Sequence, residues 1–161
     1  LLEAFAKFSE GKSDVEMLML SEGSGKTEAL RYITEKGLDD KIRILGRVPN
    51  KDLPLLLSAS DVYVSPSLSD GTSLSLLEAM ACGTGLVVTD VPAIKEWVTN
   101  ENGIMAARAD SRSLAEAMEK YYQSPELVKS HGERNTVIAA ERANWNKNYL
   151  KLKEIYSNLL R

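Results

Sequence analysis

The sequence contains few of the residues that form disulfides or metal sites. It has one cysteine, Cys82, and one histidine, His131, among 161 residues. One cysteine excludes an internal disulfide, and the pair supplies no set of soft ligands for zinc or an iron–sulfur cluster. Cys82 lies within an apolar run of small residues, so we expect it to pack rather than to act as a nucleophile. The composition therefore predicts no zinc site and no iron–sulfur cofactor.

Long apolar runs and an excess of basic charge are absent as well. No stretch of about 18 apolar residues could span a bilayer, and Leu1 to Phe8 has no basic flank followed by a cleavage site. Twenty Lys plus Arg against 23 Asp plus Glu give a net charge of −3, which disfavours a nucleic-acid partner. We therefore expect a cytoplasmic protein and leave peripheral membrane association of a full-length form open.

The sequence has the composition of a single globular domain. Apolar residues make up 43% and charged residues 27% of the chain, which is typical of compact soluble domains. Strands are expected at 15–20, 41–45, 61–65, 86–89 and 104–107, with helices at 26–36, 51–59, 73–81 and 92–98. Helix-sized connections between consecutive strands predict an α/β, Rossmann-like fold, in which a mostly parallel sheet has helices on both faces.

Both ends of the chain show the periodicity of amphipathic helices. At the start, the helical spacing involves Leu1, Ala4, Phe5 and Phe8. At the end, it involves Trp145, Tyr149, Leu152, Tyr156 and Leu159. This last helix is expected either to pack on its own domain or to cross to a neighbouring one. Since nothing upstream of Leu1 caps the first helix, we expect the chain to be part of a longer protein.

A short glycine-containing motif follows the first expected strand. Ser24-Gly25-Lys26-Thr27 opens a helix, as the phosphate-binding P-loop does. The complete P-loop pattern needs a glycine five residues before Gly25, where this chain has Leu20. A nucleotide hydrolase is therefore a minor alternative, and an ordinary turn between strand and helix is favoured.

The segment from Ser65 to Asp90 carries the strongest signal for a binding site. Its loop follows a strand's carboxyl end, where open α/β sheets bind ligands, and Thr72 or Ser73 can cap the next helix. That helix is expected to turn Leu74, Leu77 and Met80 inward. Its first N–H groups and the positive end of its dipole favour a diphosphate, and together they could hold a nucleotide without metal.

Two carboxylates flank this helix start. Asp70 precedes the helix and Glu78 lies on it, so both can face a ligand that lies across the helix start. Carboxylates accept hydrogen bonds from vicinal hydroxyls, as in ribose and hexoses. The simpler alternative for Glu78 is an exposed glutamate without a function.

This segment resembles the donor-binding domain of retaining glycosyltransferases of family four, which have the two-domain GT-B fold. The resemblance rests on Pro66-Ser67, on Asp70-Gly71-Thr72-Ser73-Leu74 and on Glu78-Ala79-Met80-Ala81-Cys82-Gly83. It extends to Ile44-Leu45-Gly46-Arg47-Val48 and to the turn Glu101-Asn102-Gly103. The first and last helices are similar to the family's as well. The resemblance thus covers nearly the whole chain and implies one half of a GT-B architecture ending in helices.

The resemblance also implies roles for particular residues. Glu78 would hold the ribose hydroxyls of a UDP- or GDP-type sugar nucleotide, and main-chain groups near Val48 would meet the base. Asp70 and Gly71 would border the sugar, which makes Asp70 and Glu78 the candidates for catalysis. The diphosphate would be bound by the backbone amides of Thr72, Ser73 and Leu74. In this family no metal is required and the sugar nucleotide is a substrate.

Three features depart from the family pattern. Asp70 stands where glutamate is usual, and Gly85 replaces a common proline. The family's first strand of this domain, with the basic residues after it, would precede Leu1, as would the whole acceptor domain. We therefore expect residues 1–161 to be a single donor-binding domain, a fragment that is inactive alone.

The full enzyme is expected to transfer a hexose to a glycan, a lipid or a polysaccharide precursor, in polysaccharide biosynthesis. A non-catalytic sugar-nucleotide-binding module with the same site is an alternative that the sequence does not separate from this interpretation.

Overall fold

Short parallel strands alternate with helices in the computed structural model, which describes residues 1–20 and 23–160. The strands are β1 (Met17–Met19), β2 (Ile42–Ile44), β3 (Val62–Ser65), β4 (Gly85–Thr89) and β5 (Ile104–Ala106). The helices are α1 (Leu2–Phe8), α2 (Lys26–Glu35), α3 (Leu53–Ser58), α4 (Leu74–Ala81), α5 (Pro92–Lys95), α6 (Ser111–Tyr122), α7 (Pro125–Arg142) and α8 (Trp145–Leu159). Every expected strand and helix is present, several of them shorter than predicted.

All described strand pairs are parallel, and they form two sheets. β1 pairs with β2, so that Met17 lies opposite Ile42. β4 lies between β3 and β5, with Val87 opposite both Val64 and Ile104. The prediction of parallel strands joined by helices is confirmed. The difference is that no described strand joins the two sheets, although their side chains share one apolar cluster.

Strand β4 shows how helices cover both faces of the larger sheet. All of its residues are buried. Val87 packs in the cluster that contains α1 and α6, whereas Leu86 and Val88 pack in the cluster that contains α4 and α7. Because alternate strand residues point to opposite faces, each face of β4 has its own helical layer. The expected α/β architecture with helices on both faces is confirmed.

A buried tyrosine–histidine pair ties α6 and α7 to the start of β4. The Tyr121 hydroxyl lies 2.7 Å from Nδ1 of His131 and accepts a hydrogen bond from the backbone N–H of Leu86 at 3.2 Å. Burial, helped by the nearby Arg134 charge, holds the pKa of His131 below its ordinary value of 6.5. Burial also raises the pKa of Tyr121 to about 12. Both groups are therefore neutral in the folded protein at neutral pH.

This pair predicts a pH dependence of stability. The unfolded chain takes up a proton on His131 near pH 6.5, whereas the folded chain takes it up only at lower pH. The contribution of neutral His131 to the free energy of unfolding is therefore fully present above pH 6.5. It should decline as the pH falls below 6.5 towards the lower pKa of the folded state. Urea denaturation at pH 7.5 and at pH 5.5 measures the decline. The loss should be smaller in His131→Gln, and an equal loss in both proteins would contradict the assignment.

The structure contradicts one of the two expectations for the last helix, α8. None of its residues is buried, and large apolar side chains are exposed along it, including Trp145 at 76% and Tyr156 at 61%. Packing of this helix on its own domain is therefore wrong. The buried helical residues that cover the sheets belong to other helices, namely α1, α2, α4, α5, α6 and α7. No helix in residues 1–20 and 23–160 is both long and apolar enough to cross a membrane.

Cys82 is also placed differently from the expectation. It is the C-cap residue of α4 and is half-buried rather than part of the core. Its sulfur lies 3.9 Å from the carbonyl oxygen of Pro54.

Candidate functional site

The loop between β3 and α4 is held by hydroxyl groups at the carboxyl edge of the sheet. Thr89, at the end of β4, donates a hydrogen bond from its hydroxyl to the carbonyl oxygen of Ser67. The hydroxyls of Ser65 and Ser67 lie 3.1 Å apart. These contacts join the loop to two neighbouring strands, and so they fix where α4 begins.

Helix α4 begins with a serine cap. Ser73 is the N-cap residue, and its hydroxyl accepts a hydrogen bond from the backbone N–H of Leu76. Within residues 1–20 and 23–160, the backbone N–H groups of Thr72, Ser73, Leu74 and Ser75 have no acceptor. Such N–H groups, with the helix dipole, favour an anion at this position.

The buried face of α4 is not quite the one that we expected. Leu76, Ala79 and Met80 are buried, Leu77 is half-buried, and Leu74 is 74% exposed. The expectation that Leu74 points inward is therefore wrong. The helix begins at Leu74, and the residues that face β4 start two positions later.

The two predicted carboxylates lie on either side of this first turn. Asp70 is half-buried in the loop, and Glu78 is exposed one helical turn after Leu74, on the same face of α4. In the described part of the chain neither carboxylate has a hydrogen-bond or ion-pair partner. Asp70 and Glu78 therefore flank Gly71, Thr72, Ser73 and Leu74 along the chain, and both carboxylates can accept hydrogen bonds from a ligand.

A chain of three hydroxyls reaches the same turn, and the sequence did not reveal it. The Tyr63 hydroxyl lies 2.8 Å from the Ser75 hydroxyl, which lies 3.2 Å from the Ser73 hydroxyl. Tyr63 comes from β3 and Ser75 from the second residue of α4. A tyrosine in a strand is ordinary, and only the packing of α4 on β3 shows that the two side chains meet.

The remaining predicted site residue, Val48, lies earlier in the chain. Val48 is half-buried in the loop that follows β2. Strand β2 belongs to the two-stranded sheet, whereas β3, which precedes α4, belongs to the three-stranded sheet. That loop contains Gly46, which has a φ of +68°, a conformation that favours glycine.

The P-loop-like motif forms the start of α2. Gly25 is its N-cap residue, and Lys26 is its first residue. Positions 21 and 22, where a phosphate-binding loop would turn, lie outside the described residues. The structure therefore leaves this minor alternative open.

The start of α4 is exposed to solvent at Thr72, Leu74 and Ser75. Two shallow hollows lie elsewhere in the described chain. One, of about 240 Å³, lies beside His131, and the other, of about 260 Å³, lies beside Gly25 and Tyr32.

Comparison with known proteins identifies the family. Residues 1–124 match the family model described as "Glycosyl transferases group 1", so the chain belongs to this family. A lipopolysaccharide core biosynthesis mannosyltransferase of Rhizobium leguminosarum bv. viciae is 38% identical over 102 residues, which is 63% of this chain and 28% of that protein. An N-acetyl-alpha-D-glucosaminyl L-malate synthase of Bacillus anthracis is 27% identical over 162 residues, 100% of this chain and 42% of that protein. The chain thus spans less than half the length of these relatives.

Solved structures show the same fold. A glycosyltransferase from Rickettsia africae superposes with a TM-score of 0.88 and 21% identity, covering 100% of this chain and 44% of that chain. Anabaena HepE in complex with UDP superposes with a TM-score of 0.87 and 21% identity, covering 98% of this chain and 44% of that chain. The fold is that of one half of a GT-B glycosyltransferase.

Proposed function

We propose that this chain is the donor-binding domain of a retaining glycosyltransferase that takes a hexose from a nucleoside diphosphate sugar. Glycosyltransferase membership is established by the family match. The observation that carries the finer proposal is the start of α4, where, among the described residues, backbone N–H groups have no acceptor and the two flanking carboxylates have no partner.

Each part of this turn suits one part of the donor. The N–H groups of Thr72, Ser73 and Leu74 would bind the diphosphate. Each hydrogen bond to an anionic oxygen would contribute about 1.5–3 kcal/mol to the binding free energy. Glu78, one turn along the helix, would accept hydrogen bonds from the ribose hydroxyls. Asp70 and Gly71 would border the hexose, and main-chain groups near Val48 would meet the base. The complex of HepE, a protein of the same fold, with UDP supports a nucleotide as the partner of this chain.

The proposed reaction needs little covalent chemistry from this chain. The acceptor would attack from the face of the hexose that the diphosphate leaves. The departing diphosphate accumulates negative charge, and the free N–H groups at the start of α4 are placed to stabilise it. We propose that this stabilisation requires no metal ion.

We further propose that the cleft is completed by an acceptor domain outside residues 1–161. The relatives named above are more than twice as long as the part that this chain matches. The exposed apolar stripe of α8, with Trp145 stacked on Tyr149, is a surface on which such a domain could pack. A strand from outside these residues, placed between the two sheets, would belong to the same proposal. The chain alone would then bind a donor without transferring its sugar to a glycan, lipid or polysaccharide precursor.

Two alternatives share parts of this evidence. A non-catalytic sugar-nucleotide-binding module would use the same residues of α4. A P-loop hydrolase would instead use Lys26 and Thr27 at the start of α2 and would require Mg²⁺.

Calorimetric titration of the chain with UDP, GDP and ADP tests the proposal. One of the three should bind, and its affinity should be unchanged by a chelator. Incubation with the matching sugar nucleotide and candidate acceptors should give no transfer product. Binding that disappears with the chelator would favour the hydrolase, and transfer by the chain alone would contradict the need for a second domain.

A further inference from the structure

The hydroxyl chain between β3 and α4 ends at the atoms that would face the diphosphate. Tyr63, Ser75 and Ser73 are linked by distances of 2.8 and 3.2 Å, and Ser73 is the N-cap residue of α4. Ser73 already accepts the backbone N–H of Leu76. The direction of the hydrogens along this chain therefore decides whether Ser73 has a hydrogen left to donate.

The chemistry of the three groups favours one direction. A phenol is more acidic than an aliphatic hydroxyl, so Tyr63 is the better donor in its contact with Ser75. If Tyr63 donates to Ser75, then Ser75 donates to Ser73, and the oxygen of Ser73 accepts from both Ser75 and Leu76. The hydrogen of Ser73 is then free for a further acceptor. If the hydrogen bonds run in the opposite direction, Ser73 donates its hydrogen to Ser75, and none is left for a ligand.

We propose that Tyr63 and Ser75 are positioning residues, and that they make the Ser73 hydroxyl a donor to a phosphoryl oxygen of the nucleoside diphosphate. This inference rests on the proposed function and adds a side-chain donor to the backbone N–H groups of the same turn. The hydroxyl and those N–H groups would converge on the ligand. An anionic oxygen is the acceptor that strengthens such a hydrogen bond most.

Variants that break the chain at different points test the proposal. Tyr63→Phe and Ser75→Ala both leave the N-cap of α4 in place. Each should weaken binding of the best of UDP, GDP and ADP by about threefold to tenfold, the effect of one hydrogen bond. Ser73→Gly removes the hydroxyl at little cost to the helix start, and it should weaken binding to the same extent.

A double variant distinguishes this hydrogen-bond relay, in which Tyr63 and Ser75 orient the hydroxyl of Ser73, from a merely structural effect. In the Ser73→Gly protein, adding Tyr63→Phe should change the affinity no further, because the hydrogen that Tyr63 orients is gone. Tyr156→Phe is the matched control, since Tyr156 is 61% exposed on α8, and it should bind as the wild type does.

Two results would overturn the relay. One is wild-type affinity in Tyr63→Phe, and the other is an equal further loss when Tyr63→Phe is added to Ser73→Gly. If the wild-type chain binds none of the three diphosphates, the proposed function fails, and the relay fails with it. Binding by the wild type with unaffected relay variants overturns the relay alone.

Discussion

Replacing Glu78 with alanine should weaken binding of the nucleoside diphosphate by about ten- to hundredfold. Glu78 is exposed and without a partner among the described residues, so its carboxylate is available to the ribose hydroxyls. A hydrogen bond to a charged group contributes about 1.5–3 kcal/mol, and one such bond accounts for this range. The fold should be unaffected because the side chain is exposed on α4. Calorimetric titration of the variant with the diphosphate that the wild type binds is the measurement.

Two matched variants make this result interpretable. Glu141→Ala removes an exposed glutamate from α7, outside the proposed binding turn, and should leave the affinity unchanged. Lys26→Ala should also be silent, because the N–H groups of α4 rather than the start of α2 are proposed to hold the diphosphate. Unaltered affinity in Glu78→Ala together with a large loss in Lys26→Ala would replace our assignment with the P-loop alternative.

Replacing Gly132 with alanine should destabilise the fold by about 3 kcal/mol, the upper part of the range for overpacking. A Cβ atom at Gly132 would lie 2.1 Å from the carbonyl oxygen of Gly83, so α7 and the turn after α4 would have to separate. That turn cannot easily move, because Gly83 has a φ of +77° and follows the C-cap of α4. Urea denaturation measures the change in the free energy of unfolding.

Ser130→Ala is the control for this prediction. Ser130 is exposed on the same helix, and alanine there should be neutral or slightly stabilising. Comparable stability of Gly132→Ala and Ser130→Ala would show that α7 and α4 are not packed as closely as the structure has them. The substitution lies where α7 meets the turn after α4, and not at the start of α4. Diphosphate binding by Gly132→Ala should therefore fall only in proportion to the fraction of the protein that is unfolded.

Local signals were enough to predict the elements of this fold. Strand β4 is an apolar run with glycine at its start, and α4 has a serine cap and a glycine after its end. The serine cap of α4 could be predicted because the loop and the helix start are contiguous in sequence. The roles of Asp70 and Glu78 remain predictions, which the Glu78→Ala variant tests.

What the sequence could not reveal depends on contacts between distant segments. The hydroxyl of Tyr63 meets Ser75 only because β3 and α4 pack together. The direction of Leu74 depends on the exact residue at which α4 begins. The apolar stripe of α8 predicts that something covers it, but a periodicity has no information about which surface does so.

Backbone amide NMR during a titration with the bound diphosphate tests the central claim most directly. The largest shifts should fall on the amides of Thr72, Ser73, Leu74 and Ser75, at the start of α4. Glu78→Ala should reduce the affinity measured at those amides. Shifts centred on Lys26 and Thr27, with the start of α4 unchanged, would contradict the account.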